Sequence, residues 1–186
     1  IFFYRYYRNM MKSLYNQQHL KITLDRLTAE LVENHRDFSN AVIIGMQPRG
    51  IYLADRIVQL LKEQLAGRPI QYGKLDITFY RDDFNTKPGE LHIPTETSID
   101  FSLDGKNVIL IDDVLYTGRS IRSGLDALLD FGRPKSVELL VLIDRWFSRE
   151  VPIQPDYVGK TVESATAQKV KVLWQENDGK DEVVLL

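Results

Sequence analysis

The chain has no cysteine, which excludes disulfides and thiol chemistry and is compatible with the cytosol. It has no apolar run near the roughly 20 residues of a membrane span. A net charge of -2 and a pI of about 6.0 leave no basic excess to draw it to nucleic acid as a whole. His19, His35 and His92 show no metal-ligating spacing. The Gly-x-x-x-x-Gly-Lys phosphate loop and the Gly-x-Gly-x-x-Gly dinucleotide fingerprint are both absent. So are internal repeats, low-complexity tracts and linkers. What remains is 186 residues, 44% of them hydrophobic, enough for one domain with a real core.

The first residues stand apart. Ile1 to Arg8 hold five aromatics and no Met, a pattern too short and too broken by Arg for a signal peptide. Met10 and Met11 are candidate starts. Residues 1–10 are therefore read as an extension or disorder, and residues 11–186 as a single domain.

Apolar spacing predicts a helix over Lys21 to His35, with Thr23 or Asp25 near its start. Ala41–Met46 reads as a buried strand, broken by Gln47-Pro48-Arg49-Gly50. Ile51 to Leu65 reads as a helix closed near Gly67 and Pro69. Leu75, Ile77 and Phe79 alternate as in a half-buried strand. Phe84 to Ser98 has no period and contains Pro88, Gly89 and Pro94, as expected of a functional loop or disorder. Ile99, Phe101 and Leu103 alternate briefly before the turn at Asp104-Gly105.

Val108 to Ile111 then form a buried strand that runs into Asp112-Asp113. A helix face follows at Ile121, Leu125, Leu128 and Leu129, with Gly132 as its C-cap. Val137 to Ile143 is a further strand, ending in Asp144-Arg145. Arg149 to Lys160 reads as a polar loop. Val170–Trp174 and Val183–Leu186 flank Asn177-Asp178-Gly179 as a C-terminal hairpin. The order implies an α/β fold, a mostly parallel sheet flanked by helices, with ligands at the C-terminal strand ends. The unusual chemistry collects there: Pro48-Arg49, Tyr80-Arg81-Asp82-Asp83, Asp112-Asp113 and Asp144-Arg145 each follow a strand.

Acid pairs at strand ends are often mere turn formers or caps. Here the pair leads into Val114-Leu115-Tyr116-Thr117-Gly118-Arg119-Ser120, where hydroxyls and bare backbone open a helix. Loop amides and a positive helix end make a seat for phosphate, and neighbouring carboxylates can hold sugar hydroxyls or a metal ion.

Val108–Ser120 resembles the 5-phosphoribosyl-1-pyrophosphate (PRPP) motif of type I phosphoribosyltransferases. Asp112 through Ser120, Arg49 through Ala54, Ile77 through Asp83, and Arg149 through Lys160 resemble more closely the PyrR family, bifunctional regulators of pyrimidine operons with uracil phosphoribosyltransferase activity. The resemblance runs from about Leu24 to Leu173. It implies that Asp112 and Asp113 bind the ribose hydroxyls and that Val114 to Ser120 seat the 5′-phosphate. Pro48-Arg49 would form the pyrophosphate loop, where the family often has a non-proline cis peptide. Arg49, Arg81, Asp112 and Asp113 would be the catalytic residues, and Phe84–Ser98 a mobile hood loop. Tyr157 and Val158 would hold the base. Asp144-Arg145 would be a structural pair or part of the base pocket. The implied cofactor is Mg²⁺, held mainly by substrate rather than by protein ligands.

Purine relatives carry Asp where this chain has Tyr116, so the implied base is uracil and the product UMP. No general base is identified. The implied regulator binds a pyrimidine-operon mRNA leader. On that face the chain keeps Arg149, with Lys21, Arg26 and Arg133 as further basic candidates. Asp25, Ala29 and Gln154 depart from the family there, and an Asp on an RNA face repels phosphate. Relatives form homo-oligomers, and a cytoplasmic location follows. The competing readings are an RNA-binding attenuator with little catalysis and a purine phosphoribosyltransferase. Trp146 and Phe147 have no place in either activity.

Overall fold

The computed structural model describes residues 12–82, 94–163 and 168–186. The elements are β1 (Lys12–Tyr15), α1 (Gln17–His35), β2 (Ala41–Met46), α2 (Gly50–Gln64), β3 (Tyr72–Leu75), β4 (Asn107–Leu115), α3 (Arg119–Leu128), β5 (Ser136–Arg145), β6 (Tyr157–Val162), β7 (Val170–Leu173), α4 (Gln175–Asp178) and β8 (Glu182–Leu185).

Five strands make the central sheet, in the order β3-β2-β4-β5-β6, and every pair is parallel. The inner strands β2, β4 and β5 are buried on both faces along most of their length, which is why they carry continuous apolar runs. Their side chains nevertheless divide with the pleat. Ile43, Ile109, Ile111, Leu140 and Leu142 pack with α1 and α2. Val42, Ile44, Val108, Leu110, Leu139 and Val141 pack with Ile121, Ala127 and Leu128 of α3. The expected α/β sheet flanked by helices is therefore present.

The differences from expectation have local causes. The first helix begins at Gln17, capped by the Asn16 side chain, which accepts from the His19 amide at 2.9 Å. Its first turn is mostly polar and exposed, so apolar spacing could not mark it. The third strand stops at Leu75. Asp76 then accepts from the amide and hydroxyl of Thr78, and this local turn displaces further sheet pairing. Phe79 is left 74% exposed on a short 3-10 turn. Near Ile99 the described pairing is a single bridge between Lys74 and Ser98.

The loop expected through Lys160 ends earlier. Its last residues form β6, an edge strand beside β5. Asp156 fixes the entry by accepting from the Leu139 amide at 2.8 Å. The outer edge of β6 is covered: Arg26 donates to the carbonyls of Val158 and Gly159 at 2.9 and 2.8 Å, and Tyr15 donates to Gly159 at 3.1 Å.

The C-terminal hairpin forms, with α4 and the left-handed Gly179 at its bend. A partner unseen in the sequence joins it: β1 pairs antiparallel with β8 to complete a three-stranded sheet, β1-β8-β7. Residues 1–11 and 83–93 lie outside the described residues, and with them most of the expected hood. No helix among the described residues is long and apolar enough to cross a membrane.

Candidate active site

Asp112 and Asp113 come near the end of β4, where Leu115 lies level with Asp144 of β5. Asp113 donates its amide to the Asp112 carboxylate at 2.9 Å. Burial raises the pKa of Asp112 well above its ordinary value, and repulsion from Asp113 adds to this, while Arg81 opposes it. Burial also raises Asp113, against the pull of Arg49. Two desolvated carboxylates side by side are poised to receive hydroxyl donors or a cation.

Gly50 allows this crowding. A Cβ there would meet the Ile111 carbonyl at 2.7 Å and the Asp112 Cα at 2.9 Å. The start of α2 can therefore press against the acid end of β4, and the preceding Arg49 is delivered to Asp113, Nε to Oδ2 at 3.5 Å. The cis peptide among the described residues is the proline bond Gln47–Pro48 and not a non-proline one, and Gln47 continues the sheet by donating to the Leu75 carbonyl at 2.9 Å.

Beyond β4 the chain passes through Tyr116 and Thr117 to Gly118, whose φ of 89° is a left-handed conformation that glycine adopts without strain. This turn opens α3. Thr117, Gly118, Arg119 and Ser120 line a cavity of about 420 Å³ together with Asp112 and Arg81. Val114, Leu115 and Tyr116 also border it. Arg119 bridges Asp82 at 2.7 Å and Glu150 at 3.2 Å across the cavity rim. Asp112, the helix-opening loop and Arg81 thus meet in one cleft, while the neighbouring Asp113 is buried and faces Arg49.

Two expected groups fall elsewhere. Tyr157 begins β6 opposite Leu140, four residues before Asp144. It is 5% exposed, and its ring packs in the core on the α1 side. Its hydroxyl donates to Glu138 at 2.7 Å and accepts from Asn34 at 3.0 Å. The Val158 carbonyl is taken by Arg26. A base cannot stack on a ring already enclosed by its own core. Of the basic pair expected on an RNA face, Arg149 is engaged internally, whereas the Arg26 side chain stays 45% exposed. Arg26 covers β6 and pairs with Glu30 at 2.6 Å, and Arg149 bonds to Asp144 and to backbone carbonyls.

Other site neighbours carried no recognisable signal. Arg49 also bonds the Val172 carbonyl of β7 and Asp178 of α4. Asp178 lies in an Asn-Asp-Gly string that reads as a bare turn. Arg145 lies over the Tyr116 ring, 3.8 Å from its centroid, so the side chain after β4 is covered by a cation.

The phosphoribosyl transferase domain family matches residues 10–177. Among curated relatives, the bifunctional protein PyrR of Desulfosudis oleivorans is 49% identical over 168 residues, covering 90% of this chain and 92% of that protein. The bifunctional protein PyrR of Bacillus subtilis is 40% identical over 179 residues, covering 95% and 97%. The chain belongs to the PyrR family. That membership agrees with the resemblance carried by Asp112–Ser120 and extends it over nearly the whole chain. Solved structures share the fold at lower identity than these PyrR sequences. A hypoxanthine phosphoribosyltransferase of Trypanosoma cruzi superposes with a TM-score of 0.70 at 14% identity, covering 94% of this chain and 95% of that one. A hypoxanthine phosphoribosyltransferase of Staphylococcus aureus gives 0.68 at 19% identity, covering 92% and 90%.

Among the described residues, no three His, Cys, Asp or Glu side chains are grouped to hold a metal. The raised pair Asp112-Asp113 supplies hard oxygen donors but no complete cage. That fits Mg²⁺, which usually keeps substrate and water oxygens in its shell.

Proposed function

We infer that this chain transfers the phosphoribosyl group of PRPP to uracil, giving UMP and pyrophosphate. One observation carries the inference: at the C-terminal end of a parallel sheet an acid pair sets half-buried Asp112 in one cavity with a left-handed glycine loop and Arg81, and buried Asp113 against Arg49. The loop from Thr117 to Ser120 seats the 5′-phosphate. Asp112 and Asp113 accept from the ribose 2′- and 3′-hydroxyls, which fixes C1 relative to the bound phosphate.

As the bond from C1 to pyrophosphate lengthens, positive charge builds on the ribose and negative charge on the leaving oxygens. Arg49 and Arg81 lie beside the acid pair and stabilise the departing group electrostatically. Mg²⁺ bound beside Asp112 and Asp113 would supply further neutralisation of pyrophosphate. Uracil N1 bonds to C1 as the C1–O bond to pyrophosphate breaks, and the N1 proton is released to solvent. Tyr116 replaces the acid of purine relatives, and its ring, covered by Arg145, offers no carboxylate to a purine imidazole.

UMP-dependent binding of a pyrimidine-operon mRNA leader belongs to the same reading. Arg26, Lys21 and Arg133 are the basic candidates for it, while Arg149 is engaged by Asp144 and backbone carbonyls. Assembly into a homo-oligomer and a cytoplasmic location complete it.

The test is a base panel. Purified protein with PRPP and Mg²⁺ is offered uracil, hypoxanthine, guanine and orotate, and product is separated by chromatography. UMP is the expected product. Turnover of a purine without uracil would overturn the pyrimidine assignment. A gel shift with the cognate leader RNA, with and without UMP, reports the regulatory half.

A further inference from the structure

We propose that Arg149 is the positioning residue of the phosphate loop, an inference that rests on the reading of Thr117–Ser120 as the 5′-phosphate seat. Its side chain is 18% exposed and bonds to Asp144, itself buried at the end of β5. From that anchor the guanidinium reaches three pieces of backbone. Nη1 donates to the carbonyl of Tyr116 at 2.5 Å and to that of Arg145 at 3.2 Å. Nε donates to the carbonyl of Ile153 at 3.0 Å. One planar fork therefore ties the exit of β4 to the exit of β5 and to the segment behind the loop.

The segment adds its own grip. The amides of Glu150 and Val151 both donate to the Thr117 carbonyl, at 2.9 and 3.1 Å. In a trans peptide the N–H points opposite to the C=O. With the carbonyls of Tyr116 and Thr117 both held back by the 149–151 segment, the amides of Thr117 and Gly118 are turned away from it, ready to meet an anion. Arg149 thus orients phosphate donors without touching the phosphate. It holds the loop rigid before substrate arrives, which is how a short loop keeps its donors converged. Lysine cannot replace it fully, because a single ammonium lacks the planar fork that serves a carboxylate and several carbonyls at once.

The experiment compares UMP with uridine, which differ only in the 5′-phosphate, by calorimetric titration of the full chain. The wild type is expected to prefer UMP. Arg149→Lys keeps a cation beside buried Asp144 and so preserves the fold. It is expected to lose about tenfold in UMP affinity, the order of one lost charged hydrogen bond, with uridine affinity unchanged. In turnover, KM for PRPP should rise while kcat is held. Asp144→Asn, which loosens the anchor, should shift UMP in the same direction by a smaller factor.

Equal weakening of UMP and uridine would mean general loosening and overturn the proposal, as would full retention of the UMP preference. Failure of both variants to fold, read by thermal melting, would assign Arg149 to the stability of the domain and overturn it too. A wild type indifferent to the 5′-phosphate would instead overturn the reading of the seat itself.

Discussion

Arg49 and Asp178 meet at 2.8 Å, joining the turn after β2 to the short helix between β7 and β8. The guanidinium assigned to pyrophosphate is thus already held by a carboxylate of its own chain. Asp178 therefore competes with pyrophosphate for this guanidinium. Asp178→Asn removes the competitor and should tighten pyrophosphate binding in the presence of Mg²⁺ by about fivefold, the scale of a partly exposed ion pair. Titration calorimetry reads this directly. Unchanged or weaker binding would show that Asp178 does not oppose the ligand.

The acid pair should behave as a stability liability kept for its chemistry. A carboxyl whose folded pKa is raised puts no penalty on folding below its ordinary value of 3.8. The penalty grows as pH rises from there and is complete above the raised folded pKa. Asp112→Asn should therefore raise the melting temperature of ligand-free protein, by about 2–4 °C for each kcal/mol relieved, and more at pH 8 than at pH 5. The same substitution, and Asp113→Asn, should lower kcat/KM for PRPP by about 10²–10³. A melting temperature that falls in parallel at both pH values would contradict the assignment.

Tyr157 gives a third test, because its sequence context and its surroundings point in different directions. Tyr157→Phe leaves Glu138 and Asn34 without their shared hydroxyl. It should lower stability by about 1–3 kcal/mol while KM for uracil stays constant. A stable variant with a raised KM for uracil would restore the base to this ring.

That contrast explains what was legible in the sequence. The strand of Val108–Ile111, the acid pair and the Gly118 turn are contiguous, so apolar continuity, charge and backbone freedom mark them together. The helix faces of α2 and α3 were legible from their apolar spacing, except that Leu129 lies past the end of α3 and is 65% exposed. Tyr157, Arg149 and Asp178 are set by contacts 19, 33 and 129 residues away in sequence, and no local pattern records which partner each one finds. Arg149 looked like a free cation because its environment consists of carbonyls, which every residue has. The strand β1 was missed because four residues alternate too briefly to register, and its pairing with β8 needs the other end of the chain.

The hairpin should open in acid before the central sheet does. Burial alone would raise Asp178 and Asp181, but Arg49 and the Trp174 amide hold Asp178 below 3.8, and Arg56 and the Gln175 amide do the same for Asp181. A lowered carboxyl pKa contributes stability that is fully present above 3.8 and is lost as pH falls through the lower folded value. Trp174 is buried beneath Arg56, 4.8 Å from its ring centroid. In a Trp146→Phe background, acrylamide quenching of Trp174 should rise below the ordinary carboxylate range while far-ultraviolet circular dichroism is still largely retained. Simultaneous loss of both signals would contradict it.

The pairing of β1 with β8 sets Lys12 opposite Leu185, so two distant points of the sequence are next-door neighbours in space. A short linker from Leu186 to Lys12 could close the chain into a ring, and the exposed turn at Ala66–Arg68 offers a place to cut it again. Such a circular permutant would retain the order of strands in both sheets and the geometry of the acid pair. The connectivity between these two sheets is thus one of several that the same set of contacts can accept.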